Sequence, residues 1–462
     1  MKLTFRNFSK EMNQVASHLE RLRPGAASNL IEFAGYDRDV SAKQLKLLKH
    51  GIWSYFLLLI FEGALRKWVL PELSTPLLIV RDPLALWLVL SAWHRGLLPA
   101  NVYLSSIVVI GIIGFYTAGF FGHGNIFVAL FGARIYLIHI PLIFVIGRLF
   151  DKDDVEKLGV AVLYLTIPMS VLIAMQFYSP QSAWVNLGVG GDAGGAGFGG
   201  AMGYFRPPAT FSFTNGTSLY FSFAACFVFY FWINPNNVSR LLLIGATAAL
   251  LVSIPLSISR GLMFQVAATL FFTLIAISKK SEHLLRMVMA CVVGAFAVVL
   301  LSNLSFFNTA TEAFTARYVD ANKMEGGLEG VLMDRFLGGM ISALTTSSEL
   351  PFWGFGIGMG TNVGSMLLTG KTEFLIAEGE WGRIIGEQGP LLGITVILLR
   401  LALILKIGLA CYEKLNEGNI LPWVLLSFGL FNIMQGQWAQ PTSLGFSVLI
   451  GGLMIASMRK GS

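Results

Sequence analysis

The residues best equipped for chemistry are arginines and one acidic run. Arg206 opens an apolar run in Phe205-Arg206-Pro207-Pro208, and Arg260 sits in Ser257-Ile258-Ser259-Arg260-Gly261 between two such runs. Arg317 and Arg335 lie in a long mixed segment. A guanidinium is a rigid fork that grips phosphate oxygens in pairs, so several at one membrane face suit a lipid-linked phosphate or pyrophosphate. Singly, each is equally an anchor to head groups. The acidic run holds Glu378, Glu380, Arg383 and Glu387. In a helix the last three fall close to one face. A carboxylate beside arginines at a membrane rim can act as general base or hold an acceptor hydroxyl; a solvated helix start is the plainer reading. Cys226, Cys291 and Cys411 lie in apolar runs, and the six histidines are scattered. Neither pattern has metal-ligand spacing, so no metal and no cofactor is expected.

The elements that must position these residues are membrane helices. Charged residues make up 13% of the chain against 55% hydrophobic, and an ordinary soluble domain carries about twice that charge. Apolar runs occupy about 51–70, 76–93, 101–121, 126–149, 156–178, 209–233, 239–258, 261–278, 284–305, 390–411, 420–435 and 441–458. The expected fold is therefore an all-α polytopic membrane protein with about 12 spans. Residues 1–49 read as a cytoplasmic amphipathic tail, 50–305 as the first nine spans with a Gly-rich outer loop over 179–207, 306–389 as one large outer loop, and 390–462 as the last three spans and a short tail.

With the tail inside, the inner side collects about 21 of the 33 Lys and Arg, the positive-inside pattern. The basic excess thus reads as topology and excludes a nucleic-acid partner. The bases left outside are Arg66, Lys67, Arg81, Arg206, Arg260, Arg317, Arg335 and Arg383, several at the ends of spans. Arg134 and Arg400 lie within apolar runs, where a charge needs a partner or a wet cavity. Glu62 is a candidate partner for Arg134.

In the large loop, Phe336, Leu337, Met340 and Leu344 suggest an amphipathic helix. Four glycines alternate with apolar residues over Gly354–Gly360. Without a strand–turn–helix unit around them they read as a turn permitting close backbone approach to a ligand or another helix. The stretch 188–203 has nine glycines in sixteen residues, suiting an outer lid or a disordered segment.

Together these features resemble the O-antigen ligase and polysaccharide polymerase family of bacterial inner-membrane glycosyltransferases, over about residues 160–455. The resemblance is carried by Arg206-Pro207-Pro208-Ala209-Thr210-Phe211-Ser212 with Asn215, by Ser257 to Gly261, and by the loop from Arg335 through Pro351–Gly360 to the closing helix that runs into Gly389-Pro390-Leu391-Leu392-Gly393. Phe61-Glu62-Gly63-Ala64-Leu65-Arg66-Lys67-Trp68 also looks like such membrane polymerases. The resemblance implies a GT-C-like fold with a periplasmic loop, both termini cytoplasmic and the site facing the periplasm. It implies a paired arginine site for the pyrophosphate of an undecaprenyl-linked glycan, carried over to Arg260 and Arg335, with Arg317 a rival; the reading of the outer arginines adds Arg206 to that set. Ligases of the family place a His-Asn pair about eleven residues before the glycine that opens the next span. Here that position holds Glu378-Gly379, which favours a polymerase and moves the expected base to Glu378 or Glu380, with Arg383 and Glu387 supporting. The implied reaction joins undecaprenyl-pyrophosphate-linked repeats into exopolysaccharide or O-antigen, inverting and metal-independent. The implied partners are lipid-linked donor and acceptor, the bilayer, and a flippase and chain-length regulator. The alternatives are a ligase to lipid A core or protein, and a lipid-linked sugar transporter.

Overall fold

The computed structural model describes residues 41–99, 101–235, 238–278, 305–324, 341, 345, 350–371 and 373–459. Arg335, the tail up to residue 40, most of the expected run 284–305 and the helix expected around Phe336 lie outside them.

The described chain is mostly helical. It runs α1 (Ala42–Ala64), a π-helical turn (Leu65–Val69), α2 (Arg81–His94), α3 (Val102–Phe120), α4 (Ile126–Arg134), a second π-helical turn (Ile135–His139), α5 (Ile140–Leu149) and α6 (Lys152–Tyr178). After strands β1 (Phe198–Ala201) and β2 (Tyr204–Arg206) come α7 (Thr214–Ile233), α8 (Arg240–Leu256), α9 (Arg260–Ser278), α10 (Ser305–Met324), α11 (Asn362–Thr369), α12 (Glu380–Asn416), α13 (Leu421–Gln435) and α14 (Pro441–Ser457). Among the described residues seven helical stretches are long and apolar enough to cross a membrane, and three more apolar helices are shorter. The protein is therefore a helical membrane protein.

The fold is not purely helical. The Gly-rich stretch forms an antiparallel hairpin. Met202 and Gly203 turn it, both with positive φ (52° and 78°), as a two-residue primed turn requires. Upstream, the buried Asn186 amide donates to the carbonyls of Gln176, Ser179 and Pro180. It thereby satisfies acceptors left open at the end of α6 and anchors the glycine stretch there.

Small residues let the central helices approach closely. A Cβ on Gly147 would meet Ile455 at 2.7 Å, and one on Gly452 would meet Ile146 at 2.5 Å, so α5 and α14 pack tightly. At one end, Asp151 and Asp154 form a capping box for α6, and both bind Lys49. At the same end, Arg459 donates to the carbonyls of Gly147, Arg148 and Phe150.

The interior charges find partners, but not all the expected ones. Arg134 binds Asp82 at 2.7 and 2.9 Å rather than Glu62. His139 completes that cluster at 2.9 Å from Asp82. Glu62 instead binds Arg81 at 2.8 Å. The second π turn carries His139, which sits on Asp82, and Tyr136, which receives a bond from Gln388. Arg66, Lys67 and Arg81 are buried in protein, so they are not head-group anchors.

α12 breaks at Gly389 (φ 77°, ψ 171°). Pro390 lacks the N–H that would bond the Gly386 carbonyl. The glycine-alternating turn supplies the missing donors: Phe355 N–H bonds Gly386 O at 2.8 Å and Gly356 N–H bonds Glu387 O at 2.9 Å. Close approach is thus to helices, since a Cβ on Gly358 would meet Val128 O at 2.1 Å.

Candidate functional site

Arg206, Arg260 and Arg317, far apart in sequence, line one cavity of about 570 Å³. Its walls are the first turns of α7 (Asn215, Ser218, Ser222), the turn before α9 and its start (Ser259, Arg260, Gln265), α10 (Arg317), and the end of α13 with the loop beyond (Asn432, Gln435, Gln437). Its described lining offers three guanidiniums, five side-chain amides and four serines, with no carboxylate.

Each arginine is placed by a local device. Arg206 ends β2, paired with Phe198, and its Nε has no hydrogen-bond partner among the described residues. Arg317 donates from α10 to Gly200 O at 3.3 Å, tying that helix to the hairpin. Arg260 is the first residue of α9, where the helix dipole disfavours a cation. Ser259 braces the turn through Ser218, its hydroxyl 2.8 Å away.

The backbone beside two of these arginines is strained. Ala209, three residues after Arg206, has φ 53°, and Ile258, two before Arg260, has φ 46°. The left-handed region costs an L-residue about 1–2 kcal/mol, and a β-branched residue there is rare. Such strain persists only where the surroundings over-determine it, and it clusters at functional sites.

The electrostatics favour an anion. Burial lowers the Arg206 pKa from its ordinary value to about 10, and Arg317 and Arg260 push it the same way. Like charges are therefore held together at some cost, which a bound anion would relieve. The helices α7 and α14 also begin at this cavity, and neither has a side-chain cap at its N-terminus. Open helix N-termini favour negative charge.

The acidic run separates into two parts. Glu378 is exposed, and its backbone carbonyl accepts from Gln437 Nε2 at 3.1 Å. From Gln437 an amide chain continues through Gln440 to Asn215, each link 2.7 Å, so the segment holding Glu378 is tied to the cavity rim. Glu380, Arg383 and Glu387 do not line the cavity; they are buried in an ion network. Arg383 binds both oxygens of Glu380 at 2.9 and 3.0 Å and also reaches Glu387. Arg400 binds Glu380 at 2.7 Å, stacks 3.7 Å from the Trp438 ring, and donates to the carbonyls of Ile433 and Gly436. The network therefore braces the cavity wall at Gly436.

Sequence reasoning missed the rim amides Gln437 and Gln440. Their signal was present, since Gln435-Gly436-Gln437-Trp438-Ala439-Gln440 packs three amides between two apolar runs. Among the described residues no group of three or more His, Cys, Asp or Glu side chains converges as a metal site would need. Comparison with protein-family models, curated proteins and solved structures finds no match to the chain.

Proposed function

We propose that the protein is a membrane glycosyltransferase of the polysaccharide-polymerase type, taking its donor from an undecaprenyl-pyrophosphate-linked glycan at the periplasmic face of a bacterial inner membrane. The observation that carries the reading is the convergence of Arg206, Arg260 and Arg317 on one amide-lined cavity. Arg335, which lies outside the described residues, is kept as a further pyrophosphate-binding residue on the family resemblance alone. The guanidiniums hold the donor pyrophosphate and neutralise it as it leaves, while amides and serines bind sugar hydroxyls.

The acceptor hydroxyl, on a second lipid-linked repeat, attacks the anomeric carbon of the donor. The new glycosidic C–O bond forms as the C–O bond to pyrophosphate breaks, with inversion, and the bonding pair departs on the lipid pyrophosphate. The hydroxyl proton passes to a carboxylate. Glu378 is favoured for this role over Glu380, because Glu378 is exposed at the rim while both oxygens of Glu380 are engaged by arginines. Glu380, Arg383 and Glu387 then support the wall. A flippase and a chain-length regulator are the pathway partners that this reading assigns.

The test is extension of a lipid-linked repeat by purified protein in detergent, with chelator present. Long chains from wild type and an extension rate about a hundredfold lower in Arg260→Ala support the proposal. Single transfer of finished glycan to lipid A core indicates a ligase. No glycosyl transfer at all, with translocation of the lipid-linked sugar in vesicles, indicates a transporter.

A further inference from the structure

The stretch Phe61 to Trp68 has no role in the chemistry proposed above, yet it is docked directly onto the segment that follows Arg206. A Cβ on Gly63 would meet Thr210 O and Ser212 N at 2.4 Å, so the two backbones touch there. Thr210 Oγ1 donates to Ile60 O at 2.6 Å, and Arg66 donates to Ser212 Oγ at 2.9 Å. Lys67 is 1% exposed. Its ammonium donates to Ala209 O at 2.6 Å and lies 4.5 Å from the Trp68 ring. No described carboxylate pairs with it.

Ala209 is held from the other side as well. Gln176, 2% exposed on α6, accepts from Ala209 N–H at 2.8 Å and donates to Ala209 O at 3.2 Å. Both backbone groups of a left-handed, non-glycine residue are thus taken by buried side chains from two other helices. Only Pro207 and Pro208 separate that residue from Arg206, and their φ angles are fixed by their rings. The direction of the chain at Ala209 is therefore passed to Arg206 with little slack.

We infer that Lys67 and Gln176 are positioning residues for Arg206: they clamp Ala209 in its left-handed conformation and so aim the guanidinium into the cavity. The inference rests on the anion-site reading above. It assigns the buried lysine a mechanical task, distinct from contributing charge to the ligand.

The experiment measures binding of inorganic pyrophosphate to the purified full-length protein. Arg206→Ala is expected to weaken binding about tenfold or more, as loss of a charge-assisted contact does. Lys67→Met should weaken it about three- to tenfold, and the double variant should bind no worse than Arg206→Ala alone, since residues acting as one unit are non-additive. Lys67→Met combined with Arg260→Ala should instead show both losses in full. Ala209→Gly in the Lys67→Met background should recover binding, because glycine adopts the left-handed conformation unaided. A lysine acting by charge would not be rescued in this way. Gln176→Leu carries the same cycle should Lys67→Met fail to fold. Wild-type-like binding by Lys67→Met, additive losses with Arg206→Ala, or no rescue by Ala209→Gly overturns the clamp and leaves the anion site standing. Unchanged binding by Arg206→Ala overturns the site itself, and the clamp with it.

Discussion

Arg383 and Arg400 in α12 and Arg206, Arg260 and Arg317 around the cavity are the same residue type in opposite company. Arg383 lies between Glu380 and Glu387, and Arg400 shares Glu380 while donating to two carbonyls of the α13 end. Every charge there has its counter-charge within hydrogen-bonding distance, which is the condition under which ions persist in a protein interior. The cavity arginines instead face one another, with no acid in the described lining. Burial and mutual repulsion lower the Arg206 pKa to about 10. The first arrangement is complete without a ligand and can hold structure. The second gathers like charge around an open cavity, the arrangement the proposed anion site uses, and its neighbours Ala209 and Ile258 are strained.

The comparison is broken most directly at Arg383. Arg383→Met would leave Glu380 and Glu387 buried, one with only Arg400 beside it and the other with no described cation. Removing one partner of a buried pair costs ~3–5 kcal/mol. Thermal unfolding in detergent should show a large loss of stability, with activity per folded molecule falling as the Gly436 wall loosens. If Arg383→Met melts with wild type, the network is not holding the fold and the contrast fails.

Arg260 should behave in the reverse sense. On the proposed function Arg260→Ala removes a contact to the leaving pyrophosphate, so chain extension should fall about a hundredfold, or ~2.7 kcal/mol of transition-state stabilisation. Its melting temperature should fall far less than that of Arg383→Met, because Arg260 repels Arg206. Arg260→Lys keeps the charge and loses the fork, so it should recover only part of the rate. A steep stability loss in Arg260→Ala would place this arginine with Arg383 instead.

Much of this contrast was legible in the sequence, for a physical reason. With so few charges in the chain, each arginine outside the positive-inside pattern stood out, and Arg206, Arg260 and Arg317 do fold to one cavity. Helical class was legible from the length of the apolar runs. The pairings inside the bundle were not. Arg134 meets Asp82, and His139 joins it from a π turn; an apolar pattern carries no trace of such a turn. The clamp on Ala209 was hidden for a different reason. Its parts are one lysine at the end of an apolar run, one glutamine within another, and an alanine whose left-handed backbone its residue type does not announce. The Glu380-Arg383-Glu387 spacing did place three charges on one face, but spacing does not say whether that face meets water or Arg400.

The finest test of the contrast is titration. Arg206 lies outside the spanning helices, and burial with the nearby Arg317 and Arg260 lowers its pKa to about 10, below the ordinary arginine value. Below about 10 Arg206 therefore carries its charge, and as pH rises through that value the free protein loses the Arg206 proton. Affinity for inorganic pyrophosphate should drop about twofold at half-titration and continue falling above it, while Arg206→Ala should lack that step. Stability moves the other way. A base whose pKa is depressed by folding opposes the folded state while protonated, and that opposition fades as pH climbs through the folded pKa. Binding isotherms and melting curves collected across that window should thus diverge at Arg206.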